Sequence, residues 1–184
     1  SIDDAKTILP RLRRAALAAY QEAPNKDAEV VRVLVGVMAN DVRSDDNAAD
    51  DVYYIAVFDP AESAHAWCTS GEGYGCVLGI APQAMLRDVY LRVAMITGYS
   101  GNEGTLAQEL GHAMGRAHAP CGGAGDVDPD YPYGRANIGV FGWDVVDREL
   151  VDPGSRVYDF MSYCQPQWIS DYTYTGVLNY RSAH

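Results

Sequence analysis

Gln108, Glu109, His112 and His118 bring an amide, a carboxylate and two imidazoles into one short stretch. On a helix, positions 108 and 112 project from one face about one turn apart, which is how two side chains can hold a single metal ion. Glu109 follows at once, and its longer arm can reach a water on the open position of such a metal and take its proton. Gly115 lets the chain leave the helix sharply, since glycine takes a left-handed conformation without steric cost, and that turn would return His118 to the same metal. The chemistry these residues could do is metal-assisted hydrolysis. The plainer reading is a helix with an accidental E-x-x-H pair and a hydrogen-bonded histidine. The glycine and the third ligand, both in place, weigh against it.

Together these residues match the zinc-protease signature H-E-x-x-H-x-x-G-x-x-H at four of its five specified positions, with Gln108 standing at the first. Downstream, Tyr158-Asp159-Phe160-Met161-Ser162-Tyr163-Cys164 resembles the methionine-containing turn that lies beneath the metal in the metzincin clan. In astacins and serralysins of that clan, a tyrosine two residues after the methionine binds the metal or stabilises the developing oxyanion, and Met161 and Tyr163 have that spacing. The methionine itself is a packing residue, as flexible thioethers commonly are. Only Tyr163 is asked to do chemistry. The continuation His118-Ala119-Pro120-Cys121-Gly122-Gly123 is more similar to bacterial secreted metzincins than to matrix or snake-venom ones.

The resemblance implies a zinc endopeptidase acting on extracellular proteins or glycoproteins, with Gln108, His112 and His118 as metal ligands and Glu109 as general base and then proton donor. Tyr163 would support the oxyanion. An amide oxygen is a neutral, weak donor beside an imidazole nitrogen, so zinc would be held loosely and activity impaired. The alternative is a pseudoprotease, a protein- or peptide-binding module that keeps the cleft without the reaction. His65 and His184, the other histidines, lie far from the motif and are not expected to substitute.

The 184 residues fit one domain or at most two, and 48% are apolar, enough for a sizeable core. A formal charge of -11 argues against nucleic acid and against an anionic membrane surface as partners. A protein or peptide substrate is the partner expected; oligomeric state is not encoded in these patterns. No run approaches the roughly 18 apolar residues of a membrane span. No charged-then-apolar signal opens the chain, so a mature or excised domain is the expectation.

Four cysteines allow three connectivities. Sequential pairing is expected. Cys68 and Cys76 flank Gly71, Gly73 and Gly75, a loop flexible enough to bring its ends together. For Cys121 and Cys164 the metzincin resemblance implies that both lie close below the metal, where a bridge would tie the two motifs. Disulfides would place the protein outside the cell; four reduced thiols in a cytosolic protein are the alternative. A cysteine metal ligand ranks last, because no C-x-x-C is present.

The elements that must position these residues read as follows. Residues 5 to 21 carry an apolar stripe of helical period, with Pro10 in the first turn. Glu29 to Met38, Asp51 to Phe58, Gly75 to Ala81 and Val89 to Thr97 read as strands, the last leading through Gly98-Tyr99-Ser100-Gly101 into the motif helix. By resemblance, Gly75 to Ala81 is the edge strand beside the cleft, where an extended substrate adds by main-chain hydrogen bonds. Residues 40 to 47 read as a polar loop. Its aspartates, and Asp126, Asp128 and Asp130, could hold calcium, but a hydrated surface is the better reading. Pro120 to Pro153 reads as loops held by aromatics, with residues 138 to 143 as its concentrated apolar run. Ser170 looks like the N-cap of a last helix reaching about Tyr180, with Tyr174, Val177 and Leu178 inward.

The fold expected is α+β and metzincin-like, with resemblance running from about Glu29 to Tyr180. Residues 1 to 184 would form a single catalytic domain. An upper subdomain, to about residue 118, would carry a twisted mixed sheet and the active-site helix. A loop-rich lower subdomain, from about 119 to 184, would carry the methionine turn and the C-terminal helix.

Overall fold

The computed structural model describes residues 41–59, 61–69 and 76–183. The expected helix over residues 5 to 21 and strand over Glu29 to Met38 lie outside the described residues. The fold is α+β, with small sheets, and the chain divides into two compact units, Ser1–Ala113 and Met114–His184.

The first unit holds a three-stranded sheet of order β1-β3-β2. Strand β1 (Tyr54–Phe58) runs parallel to β3 (Val93–Thr97), and β2 (Gly79–Ile80) runs antiparallel on the other side of β3. All five residues of β3 are buried, so it reads as a continuous apolar run rather than an alternating one. Helix α1 (Ala64–Thr69) pins the approach to β2: the Trp67 indole N–H donates to the Val77 carbonyl at 2.8 Å, and Cys68 is disulfide-bonded to Cys76.

Helix α2 (Glu103–Ala113) follows β3 across a tight turn with Gly101 at φ +86°. Asn102 joins the two elements. Its amide nitrogen donates to the Thr97 carbonyl at 2.9 Å, while its own carbonyl accepts from the Leu106 N–H in the first helical turn.

The expected strands are shorter here than the sequence suggests. Asp51 to Phe58 begins pairing only at Tyr54, and Gly75 to Ala81 contracts to Gly79–Ile80. Val89 to Thr97 is divided: Val89–Leu91 forms a 3-10 turn closed by Leu91 N–H to Asp88 and Arg92 N–H to Val89, and the strand starts at Val93. The polar loop of residues 40 to 47 contains a helical turn over 41–45, and the Asp46 carboxylate accepts from the Tyr54 hydroxyl at 3.1 Å.

In the second unit β6 (Tyr158–Asp159) pairs in parallel with β7 (Gln167–Trp168), and the methionine turn lies between them. Asp159 is fully buried, and its carboxylate accepts from Met161 N–H at 2.8 Å and Ser170 N–H at 2.9 Å. One side chain thereby fixes both the turn and the entry to helix α3 (Asp171–Ser182). Met161 packs with Ala119 and Ala136, so its role is the packing one. The Cys121–Cys164 disulfide closes this layer across 43 residues of sequence, and loop closure of that length is worth roughly 4 kcal/mol.

Between Pro120 and Pro153 the loops are held by aromatics as expected, with Tyr131 edge-on to both Tyr133 and Tyr172. A hairpin of β4 (Gly142–Asp144) and β5 (Glu149–Val151) is added, its turn held by the Asp144 carboxylate accepting from the Val146 and Asp147 N–H groups. Of the apolar run at 138 to 143, Ile138 is buried but Val140, Phe141 and Trp143 are exposed.

Ser170 caps α3 as expected, its hydroxyl accepting from Thr173 N–H at 3.0 Å. The inward face differs from the one expected: Thr173 and Tyr180 are buried, Val177 is partly so, and Tyr174 and Leu178 face solvent. The polar Thr173, four residues before Val177, lies on the buried stripe and displaces the more apolar set. Ser170→Ala should therefore lower unfolding free energy by about 1 kcal/mol, whereas Leu178→Ala should stay within about 0.5 kcal/mol of the parent. Urea unfolding of both variants checks the assignment, and a larger loss at Leu178 would contradict it.

Candidate functional site

Helix α2 buries Gln108, Glu109, Gly111 and Ala113, whereas Leu106 and Leu110 are only partly covered. Burying polar residues on a helix requires partners. Glu109 lies under β2 and accepts a hydrogen bond from the Ala81 N–H. Gly79 makes this approach possible: a Cβ there would stand 2.5 Å from Thr105 Cγ2 and 2.7 Å from both Cγ and Oε1 of Glu109. Desolvation raises the Glu109 carboxyl to about 8, and the Ala81 hydrogen bond only partly opposes it. Gln108 is 8% exposed, and its amide nitrogen is buried without a hydrogen-bond partner. His112 is partly buried, and its carbonyl accepts from Ala84 N–H at 3.0 Å.

In the second unit, Gly115 adopts φ +77°, the left-handed conformation expected of it. His118 then lies beside residues 125–128. Its Nδ1 is 2.6 Å from the Gly125 carbonyl, and its backbone forms a parallel bridge with Val127. A carbonyl oxygen only accepts, so Nδ1 carries the proton in this contact.

Tyr163 is 53% exposed and meets the His118 ring edge-on at a centroid distance of 5.1 Å. Two backbone bonds set this contact, Ala119 N–H to Met161 at 3.0 Å and Tyr163 N–H to Cys121 at 3.2 Å. Gly122, at φ +76°, leaves room for Tyr163, whose Cβ would lie 2.6 Å from any Cβ at that position. The structure thus brings His118 and Tyr163 together within one unit, and Gln108, Glu109 and His112 together on α2 in the other.

The amide and imidazole on α2, and the imidazole of His118 in the second unit, are each of a type able to ligate a divalent ion. The unpartnered atom of Gln108 is its amide nitrogen, a donor only, so any ligation by this side chain would be through Oε1. Among the described residues no group of three or more His, Cys, Asp or Glu side chains is arranged to hold a metal, and the expected set has only two residues of those types. Of the aspartates considered for calcium, Asp128 accepts from Asp130 N–H through Oδ1 and from the Tyr172 hydroxyl through Oδ2. Sequence reasoning missed Gly79, whose position within a strand could have signalled close backbone approach. It also missed Gly125 as a partner of His118, for which no local signal exists.

Residues 93–176, from β3 to Gly176 on α3, match the family model of Peptidase M66. This match supports a peptidase and hence a protein substrate. No curated protein and no solved structure matches the chain. The two disulfides are consistent with an extracellular protein, and no helix among the described residues is long and apolar enough to cross a membrane.

The buried carboxyl also predicts a pH dependence of metal-free stability. Glu109 holds its proton to about pH 8 when folded but only to its ordinary value of 4.5 when unfolded. Between those limits the folded chain binds more protons, so stability is greatest below the unfolded value and falls as pH rises through the folded one. The slope attributable to this group is roughly 1.4 kcal/mol per pH unit. In chelator-treated protein, Glu109→Gln should remove that part of the decline in urea midpoint. An identical decline in the variant would contradict the assignment.

Proposed function

We propose that this chain is a zinc-dependent endopeptidase of metzincin type, acting on extracellular proteins or glycoproteins and impaired by Gln108. The observation that supports the reading is the peptidase match over residues 93–176, a stretch that includes both Glu109 and Tyr163. A single catalytic domain is part of the proposal.

Gln108, His112 and His118 would hold the ion. When bound, zinc supplies Lewis acidity to the scissile carbonyl and to the attacking water. A Glu109 carboxylate oxygen takes the proton of that water and returns it to the leaving amine. The packing of Glu109 beneath β2 restricts its motion, so less reorganisation accompanies the transfer. The Tyr163 hydroxyl, on a side chain that remains open to solvent, donates to the developing oxyanion. Substrate would extend along β2, whose outer edge is unpaired among the described residues.

A second reading, a binding module without catalysis, is favoured by Gln108 itself. Zinc titration and peptide-library digestion separate the two. Changing even a group behind a metal ligand lowers affinity or activity about 10 to 100-fold, so the parent chain should bind zinc at least that much more weakly than Gln108→His. Proteolysis should rise with zinc affinity in the variant. If the parent carries one zinc per chain and cleaves peptides at a rate that Gln108→His does not improve, glutamine is a competent ligand. Tight zinc binding by Gln108→His with no cleavage would favour the binding module.

A further inference from the structure

We propose that Tyr172 is a positioning residue that sets the tautomer and orientation of His118 through Asp128. The relevance of this to zinc rests on the function proposed above, but the arrangement itself does not.

His118 takes its orientation from the Gly125 carbonyl, which lies in a loop with little else to fix it. Gly122 and Gly123 have φ of +76° and +77°, and a Cβ at Gly123 or Gly125 would meet nothing within 4 Å. The backbone there is open on that side. Three residues on, Asp128 ties the loop both to His118 and to α3. Its N–H donates to the His118 carbonyl at 2.8 Å, and its carboxylate receives the Tyr172 hydroxyl at 2.9 Å. Asp128 Oδ1 also accepts from Asp130 N–H at 3.0 Å, which closes the turn after it.

Tyr172 is itself fixed from two sides. Its ring lies edge-on to Tyr131 at 5.3 Å, and the Arg116 guanidinium carbon is 5.9 Å from its centroid. Arg116 in turn rests against the bare backbone of Gly176, one turn further along α3, where a Cβ would collide with the guanidinium. The residue two positions before His118 thus grips the same helix that holds the loop after it. A metal ligand whose second ring nitrogen is fixed by a carbonyl is only as well oriented as that carbonyl. Here the orientation is referred, through Asp128 and Tyr172, to a capped helix.

Nitrogen-15 NMR of the imidazole rings in the full metal-free chain, at about pH 8.5 where a neutral ring prevails, reads the tautomer directly. The His118 signals are identified by their loss in His118→Ala. The parent should show His118 protonated at Nδ1 alone. Tyr172→Phe, which keeps the ring contacts and removes the hydroxyl, should give a mixture of tautomers, and so should Asp128→Ala. Asp128→Asn, whose oxygen can accept from Asp130 N–H while its amide N–H donates to the Tyr172 hydroxyl in place of the bond Tyr172 now gives, should restore the parent pattern. Tyr174→Phe, on the exposed side of α3, should change nothing. Should Asp128→Ala fail to fold, Tyr172→Phe decides alone. An unchanged tautomer in folded Tyr172→Phe overturns the proposal, as does a parent already mixed.

Zinc titration forms a separate arm. About 10-fold weaker binding in Tyr172→Phe is expected if His118 is a ligand. A tautomer change without zinc binding in either protein would sustain the positioning role and refute the zinc endopeptidase.

Discussion

A carboxylate kept out of water on a helix is the constraint on which the first unit depends. Removing Glu109 from solvent is costly unless the group is hydrogen-bonded or protonated, and both responses are visible here. Strand β2 supplies, at Gly79, the absence of a side chain, and Ala81 just after it supplies a backbone N–H. The placement of β2 depends in turn on β3, on the Trp67 indole and on the first disulfide. The buried carboxyl and β2 are therefore one arrangement. A bulkier residue at 79 would displace either the strand or Glu109.

The second unit meets a different requirement, holding two polar rings in a segment poor in regular structure. Asp159 uses a fully buried carboxylate to bind the methionine turn to the start of α3. The Cys121–Cys164 bridge and the pairing of residues 119–121 with 161–163 then place Tyr163 against His118. Buried backbone donors near the turn are satisfied by side chains rather than by a long ladder, which is how a loop-rich region avoids unpaired polar groups.

Much of this was legible where chemistry and spacing are local. The motif helix, the left-handed Gly115, the cap at Ser170 and the packing role of Met161 each follow from residue type within a few positions. Both disulfides have the expected pairing. What was not legible depends on distant neighbours. The β2 strand is only two residues long because pairing with β3 is limited to Gly79–Ile96 and Ile80–Met95, and no local pattern sets that limit. On α3 the buried stripe passes through Thr173, which hydropathy alone would leave outside. Asp128 reads as one of three hydrated aspartates until Tyr172, 44 residues away, is seen to donate to it.

In the function proposed above, the α2 motif and His118 would hold one zinc ion with a weak ligand at Gln108. X-ray absorption at the zinc edge, on protein loaded with one equivalent of zinc, tests this most directly. The expected result is scattering from imidazole rings that weakens in His112→Ala and in His118→Ala, with the remaining ligands being light oxygen-type atoms, and a further imidazole appearing in Gln108→His. A zinc environment without imidazole, or one unchanged by removal of His112 and His118, would contradict it.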